Sequence, residues 1–302
     1  MIIALALSAS LDVTYEVDEL HTRDITRPTG VTRVAGGKAL NVARAARALG
    51  ADVHAVAALG GPTGDWVAAM LADDAVEAVV VPLRRVTRTC IAVVESAESA
   101  TSTDIYEPAT ELDRGEWDAF AAAVSESVAG ALAETGRGGS APWLALSGSI
   151  PPGVPLEQLG QLLAELRLQG ARIVVDGSGD GLRATAAAAD LIKVNRREAS
   201  ELLGAEQATA ADACRQLRAR YGCDAVVTDG IAGSAALMAG VEAEVPGATR
   251  RGRFPAGSGD SFLGGLLAAF ERGESPADAL RSASEAGERN ALVPGQGRLA
   301  SE

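Results

Sequence analysis

Apolar residues along this 302-residue chain fall in short runs of strand length, and these alternate with stretches whose apolar positions recur every three or four residues. The runs at 2–7, 53–58, 76–81, 143–146, 172–175, 191–193 and 225–228 predict strands, with an antiparallel pair at 234–238 and 243–245. Helices are expected at 38–49, 64–71, 114–133, 156–168, 210–221, 258–271 and 276–291. Continuously apolar strands separated by amphipathic helices predict an α/β fold, a mostly parallel sheet with helices on both faces. Two stretches break the rhythm: residues 13–34 mix charges with a Pro-Thr-Gly turn, and residues 86–107 hold two β-prone runs around the polar segment 95–101. Both flank core elements and neither is helix-patterned, so they predict a small β lid on a single domain covering 1–302. The Gly/Ser-rich segment 135–142 reads as a surface loop, because the helix–strand rhythm resumes at once.

Apolar residues make up 47% of the chain and aromatic ones only 3%, so the expected core is large and aliphatic. The net charge of −13 argues against nucleic acid or an anionic membrane as a partner, since both bind through Lys and Arg on phosphates. Cys90, Cys214 and Cys223 are too scattered for a disulfide framework or a C-x-x-C motif, which points to a reducing, cytoplasmic setting. His21 and His54 lie far apart without metal-ligand spacing, so neither zinc nor a catalytic histidine is expected. The apolar start lacks a basic flank and is too short to span a bilayer, so it reads as a buried first strand.

Candidate chemistry gathers where predicted strands end and helices begin, the ligand-binding edge of open α/β sheets. In Pro-Ala-Gly-Ser-Gly-Asp at 255–260, Gly257 and Gly259 permit backbone conformations in which the amides around Ala256 and Ser258 converge on an anion. Asp260 then stands beside an anion site, where a carboxylate has a use as the acceptor of a hydroxyl proton. A plain helix start, capped by Ser258 or Asp260, explains the same residues. In Ala-Gly-Gly-Lys-Ala-Leu-Asn at 35–41, Gly37 allows close approach while Lys38 and Asn41, three apart, can face one ligand. Asp12, just after the first strand, could bind two sugar hydroxyls or sit in a turn. Ser147, in Ser-Gly-Ser-Ile-Pro-Pro-Gly, could meet a hydroxyl or a phosphoryl group, or belong to a rigid turn. Asn195 and Glu198 suit magnesium held through water, and equally suit a capping box. Thr228, Gly230 and Gly233 could face nucleotide phosphates or form a hairpin turn.

Taken in order, these motifs resemble the ribokinase-like, PfkB-type carbohydrate kinases, from about Ile2 to the last helix. The glycine signature at 35–41 with its continuation to Leu59-Gly60-Gly61 carries the resemblance, together with the 255–265 turn. Within that family the chain is similar to the phosphosugar branch, 1-phosphofructokinase and tagatose-6-phosphate kinase, through Leu-Asp-Val-Thr-Tyr at 11–15, Thr-Arg-Thr-Cys-Ile-Ala at 87–92 and the 147–153 segment. Ser8-Ala9, Ala39, Val194 and Ala256 depart from the usual pattern, and the Ala39 methyl group implies a smaller or differently posed acceptor.

The resemblance implies a three-layer α/β/α fold and in-line transfer of the ATP γ-phosphoryl group to a sugar hydroxyl, with Asp260 as base. Lys193, Asn195, Thr228, Gly230, Gly233, Ala256 and Asn290 would lie on the nucleotide side, and Glu198 with Asn195 would place Mg2+. Asp12, Gly37, Lys38, Asn41 and Ser147 would hold the sugar, with Arg27 and Arg88 on its phosphate. The expected acceptor is a small-molecule sugar phosphate, fructose 1-phosphate or tagatose 6-phosphate; a monovalent cation and a homodimer through the lid are further options. The alternatives are a same-fold kinase of a free sugar or nucleoside, and a non-catalytic sugar-phosphate sensor. A dinucleotide oxidoreductase is disfavoured, because no G-x-G-x-x-G follows the first strand.

Overall fold

The computed structural model describes residues 1–21, 23–96, 102–135, 140–247 and 252–301. Positions 97–101 of the predicted polar segment and 136–139 of the predicted surface loop lie outside them. In chain order the elements are β1 (Ile2–Ala6), β2 (Ser10–Val17), β3 (Gly30–Gly36), α1 (Lys38–Ala48), β4 (Val53–Leu59), α2 (Gly61–Asp73), β5 (Glu77–Pro82), β6 (Arg88–Glu95), β7 (Ser102–Tyr106), α3 (Arg114–Thr135) and β8 (Trp143–Ser147). There follow α4 (Leu156–Leu168), β9 (Arg172–Asp176), α5 (Gly179–Thr185), β10 (Leu191–Asn195), α6 (Arg196–Leu203), α7 (Ala210–Tyr221), β11 (Asp224–Thr228), β12 (Ser234–Met238), β13 (Val241–Val245), α8 (Ser258–Glu271) and α9 (Pro276–Ala291).

Nine strands form one sheet in the order β13-β12-β11-β10-β9-β8-β1-β4-β5, parallel throughout except at one edge, where β12 pairs antiparallel with both β11 and β13. The alternation of side chains along β1 sets its two faces. Ile3, Leu5 and Leu7 join Phe120, Val124 and Leu163 in one core, while Ile2, Ala4 and Ala6 join Leu40, Val42 and Leu266 in the other. The expected three-layer α/β/α fold is therefore present. Among the described residues, no helix is long and apolar enough to cross a membrane.

A second sheet, ordered β3-β2-β6-β7, is built from the two stretches that interrupted the helix–strand rhythm. It begins earlier than the sequence pattern implies, because β2 starts at Ser10, and Asp12 lies inside that strand rather than in a turn after β1. The seven residues of α5 are too few for helical periodicity to show, and the pattern does not predict them.

Small residues let the helices of the alanine-lined face approach closely. A Cβ at Gly264 in α8 would lie 2.7 Å from the Val42 carbonyl oxygen of α1, and one at Gly265 would lie 2.7 Å from Ala286 Cβ of α9. Helix α8 is thereby wedged between α1 and α9, with its first turn at the ends of the parallel strands. Gly264→Ala should accordingly lower the unfolding free energy by about 1–3 kcal/mol in urea titrations, through overpacking. Gly130→Ala is its control: Gly130 lies in the exposed part of α3 with no atom within 4 Å of a Cβ, so that change should stabilise by about 0.5–1 kcal/mol.

Candidate active site

The site lies outside the carboxyl ends of β8, β9, β10 and β11, next to the switch point where β1 continues the sheet towards β4. Strand-end residues Ser147, Asp176, Lys193, Asn195 and Thr228 face it from one side. The first turns of α1 and α8 supply Lys38, Asn41 and Asp260 from the other.

Asp260 is buried, and Asn41 Nδ2 donates to its Oδ2 at 2.8 Å. The other oxygen, Oδ1, has no hydrogen-bond partner among the described residues. Burial pushes the Asp260 carboxyl up to about 6 from the ordinary 3.8, and the Asp176 charge adds to this. Lys38, the Asn41 bond and Lys193 act in the opposite sense.

Asp176 was not a sequence candidate, yet it organises the centre. It is buried, accepts from Ser147 Oγ at 2.8 Å and pairs with Lys193 Nζ at 3.3 Å. Burial alone would raise its carboxyl, but Lys193, Lys38 and the Ser147 bond outweigh it and hold the group below the usual carboxylate range. Lys38 is exposed at the mouth, and the Asp176 charge, followed by Asp260 and Glu198, raises its pKa against the opposing effect of desolvation. Two lysines and three carboxylates thus form one electrostatic unit. The clue to Asp176 is a strand ending in Val-Val-Asp-Gly at the sheet edge already populated by Ser147 and Lys193.

At the head of α8 the N-cap is Gly257, in the left-handed region with φ 84°, and not Ser258 or Asp260. The reason is steric: a Cβ at 257 would meet the Gln296 backbone at 2.8 Å. The Ser258 amide is occupied by the Pro255 carbonyl at 3.2 Å, so the converging amides do not include that one. The amides of Ala256, Gly257, Gly259 and Asp260 have no backbone partner among the described residues, and the buried Ser258 hydroxyl is unpaired as well. Lys193 Nζ sits 3.3 Å from where a Gly259 Cβ would be, which puts an ammonium directly against this anion-binding turn.

On the sugar side, Asp12 is buried between Ser10 Oγ, at 2.6 Å, and the Gly37 amide. Burial raises its pKa despite those bonds and the nearby Arg44 and Arg88 charges. Gly37, at φ 93°, leaves no room for a side chain, since a Cβ would lie 2.6 Å from the Ser8 carbonyl. Arg88 reaches the Glu107 carbonyl at 3.2 Å, and its Nε is buried without a partner. Arg27 is exposed in the segment between β2 and β3 and makes no ion pair with a described residue.

Asn195 and Glu198 form the capping box: each backbone amide donates to the other's side chain at 2.9 Å. The box uses Glu198 Oε2 and leaves Oε1 without a hydrogen bond to a described residue, which fits a water-mediated magnesium contact. No cluster of three direct His, Cys, Asp or Glu ligands occurs among the described residues. Asn195, Thr228 and Gly230 line a cleft of about 470 Å³ with Arg196, Arg197 and Asp229. Gly233 does not line it: it packs against β13, where a Cβ would stand 2.2 Å from the Val245 carbonyl. Asn290 is fully buried under Gly257 and donates to the Gly295 carbonyl at 3.3 Å, so it supports the turn rather than facing the cleft.

Over residues 4–300 the chain matches the pfkB family of carbohydrate kinases. It is 33% identical over 207 residues to the ATP-dependent 6-phosphofructokinase isozyme 2 of Escherichia coli strain K12, a stretch covering 68% of this chain and 63% of that relative. The match to this curated relative therefore spans less than two thirds of the relative's length. The crystal structure of phosphofructokinase-2 from Escherichia coli in complex with potassium superposes with a TM-score of 0.86 at 29% identity, covering 99% of this chain and 95% of that one. The same protein in complex with fructose-6-phosphate gives a TM-score of 0.85 with the same identity and coverage. A family match along nearly the whole chain, on a fold whose glycine turns, lysines and buried aspartate meet at the sheet's switch point, makes this chain a member of the pfkB family of carbohydrate kinases.

Proposed function

We propose that this protein transfers the γ-phosphoryl group of ATP to a hydroxyl of a sugar phosphate, with Asp260 as general base. The observation that carries the reading is a buried carboxylate with one oxygen fixed by Asn41 and the other unpaired, at a helix start whose amides have no backbone partner. The acceptor hydroxyl gives its proton to Asp260 as its oxygen bonds to the γ-phosphorus. The bond from that phosphorus to the β,γ-bridging oxygen breaks and ADP leaves. Free amides at the head of α8, with Lys193 beside them, stabilise the charge on the transferred group, an effect commonly worth about 3 kcal/mol per well-placed donor. Asn195 and Glu198 would hold magnesium through water, where its charge offsets that of the nucleotide phosphates. The potassium in the Escherichia coli relative supports a monovalent cation as an accessory.

The acceptor in this reading is a ketohexose phosphate. Arg88, with Nε buried and unpaired beside Asp12, supports an anionic group on the sugar. Fructose 1-phosphate and tagatose 6-phosphate follow from the motifs at 11–15, 87–92 and 147–153, and the relative bound to fructose-6-phosphate adds a third candidate. Exposed Val31, Ile105 and Tyr106 on the second sheet support its pairing with a second copy and its use as a lid.

A coupled ADP assay over these three phosphates, free fructose, ribose and adenosine tests the assignment. Turnover is expected with a ketohexose phosphate and strongly diminished in Arg88→Met; faster turnover of a free sugar or a nucleoside overturns the sugar-phosphate reading. Asp260→Asn should lower kcat by about 1,000-fold or more while leaving ATP affinity nearly unchanged, whereas a sensor would keep its ligand affinity and show no turnover in either form.

Because the base must be ionised, kcat is expected to fall as pH drops through about 6, measured with pH-matched saturating substrates. The same raised pKa works against stability. The folded state binds the Asp260 proton more tightly than the unfolded chain does, so stability is lost as pH rises from about 4 to about 6 and stays lower above that. Asp260→Asn should therefore raise the melting temperature at about pH 8 although it lowers kcat.

A further inference from the structure

Arg44 is 4% exposed in the middle of α1, and it is the one arginine among the buried charged residues described. Its guanidinium makes contacts in four directions. Nε pairs with Asp74 at 2.7 Å, at the end of α2; Nη1 donates to the Gln296 carbonyl at 2.7 Å and lies 3.4 Å from Asn41 Oδ1; Nη2 donates to the Ala35 carbonyl of β3. A charge held this far from water needs a reason, because desolvation is costly, its ion pair with partly exposed Asp74 repays only part of that cost, and the nearby carboxyl of Asp12 is itself pushed up by burial.

We propose that Arg44 is a positioning residue for the base: it fixes the amide of Asn41 so that the NH2 end, and not the carbonyl end, faces Asp260. The argument rests on what each group can offer. A guanidinium carries donors only, so the end of the Asn41 side chain turned towards it must be Oδ1. The amide is planar, which leaves Nδ2 aimed at Asp260 Oδ2, where it donates at 2.8 Å. Turned over, the same amide would put its carbonyl oxygen against the carboxylate, an arrangement that only a protonated Asp260 could satisfy. Arg44 therefore favours the ionised form of the base through Asn41, without touching the reacting atoms.

The surrounding contacts give the guanidinium a fixed seat. Gly297 passes so close that a Cβ there would stand 3.1 Å from Nη1 and 2.7 Å from the Asn41 carbonyl. The segment after α9 thus closes over Arg44 and backs the turn that carries Gly257. The other groups facing Asp260 are Lys38 from α1, Lys193 from β10 and Asp176 from β9, and none of these contacts Arg44.

The role rests on the kinase reading, and a double-mutant cycle on Arg44→Lys and Asn41→Ala tests it. Lysine keeps a charge opposite Asp74 but lacks the planar fork that reaches Asn41 and Gln296 together. The expected result is a kcat lowered by about 10- to 100-fold in Arg44→Lys with substrate KM values within about twofold. The acid limb of kcat moves upward by about one pH unit. In Arg44→Lys/Asn41→Ala the loss is no larger than in Asn41→Ala alone. An acid limb that stays in place, or losses that multiply in the double variant, would overturn the assignment. If Arg44→Lys does not fold, Asp74→Asn loosens the seat from its more exposed side and should move the acid limb in the same direction; an unmoved limb there also overturns it. The pH dependence of unfolding reads the same coupling without substrate: the interval over which stability declines should extend above about pH 6 in Arg44→Lys. A wild type that phosphorylates no sugar, with the extension present in its Arg44→Lys variant, contradicts the kinase reading alone, and an active wild type whose Arg44→Lys variant lacks the extension contradicts the role of Arg44 alone.

Discussion

A carboxylate sealed inside a protein stays ionised near neutral pH only if positive charge is placed beside it, and this site is arranged around that requirement. Lys38 and Lys193 lie among Asp176, Glu198 and Asp260, and the two lysines do not serve the acids equally. Asp176 takes the direct ion pair and the Ser147 bond, and it is held low. Asp260 is left with a neutral amide donor and the more distant charges, and it is pushed up. Two buried aspartates are thereby separated in acidity by their surroundings, one a fixed negative charge that anchors a lysine and the other a group able to take a proton.

Charge placement of this kind needs backbone at close quarters. Gly259 admits the Lys193 ammonium, and Gly148 lets the next turn lie on the stem of Lys38, 3.3 Å from where its Cβ would be. Gly36 yields to the Asp12 carboxylate, which a Cβ would overlap at 2.0 Å. In each case the missing side chain makes room for a charged residue of another element, so glycine in these turns acts through space as much as through backbone freedom.

The layered fold was legible because buried parallel strands and amphipathic helices leave strong periodic marks. The glycine turns at 35–41 and 255–260 were legible as well, since their composition is unusual next to an apolar helix. Asp176 was not, because an aspartate before a glycine at a strand end reads as a turn residue. Its partners stand 29 and 17 positions away, and only the sheet brings them together. Asp12, expected just after the first strand as a sugar ligand or a turn residue, lies inside β2 instead: a carboxylate is rare inside a strand, and the Ser10 hydroxyl and Gly37 amide that make it tolerable there cannot be seen locally. Arg44 reads as a solvent-facing residue in an alanine-rich helix until the segment after α9 is folded over it. Asn195 and Glu198 show the converse, a motif whose structural and chemical readings both hold, because the capping box uses only one of the glutamate's oxygens.

Strand β3 ends at Gly36 and α1 begins at Lys38, so a single residue, Gly37, separates the second sheet from the helix that carries Lys38, Asn41 and Arg44. The two elements meet at this one residue, and the Arg44 guanidinium is bound to the Ala35 carbonyl across the junction. One residue thus joins the sheet that holds Asp12 to the helix turn that holds Lys38 and Asn41, so the spacing of these three side chains is set by the backbone at Gly37.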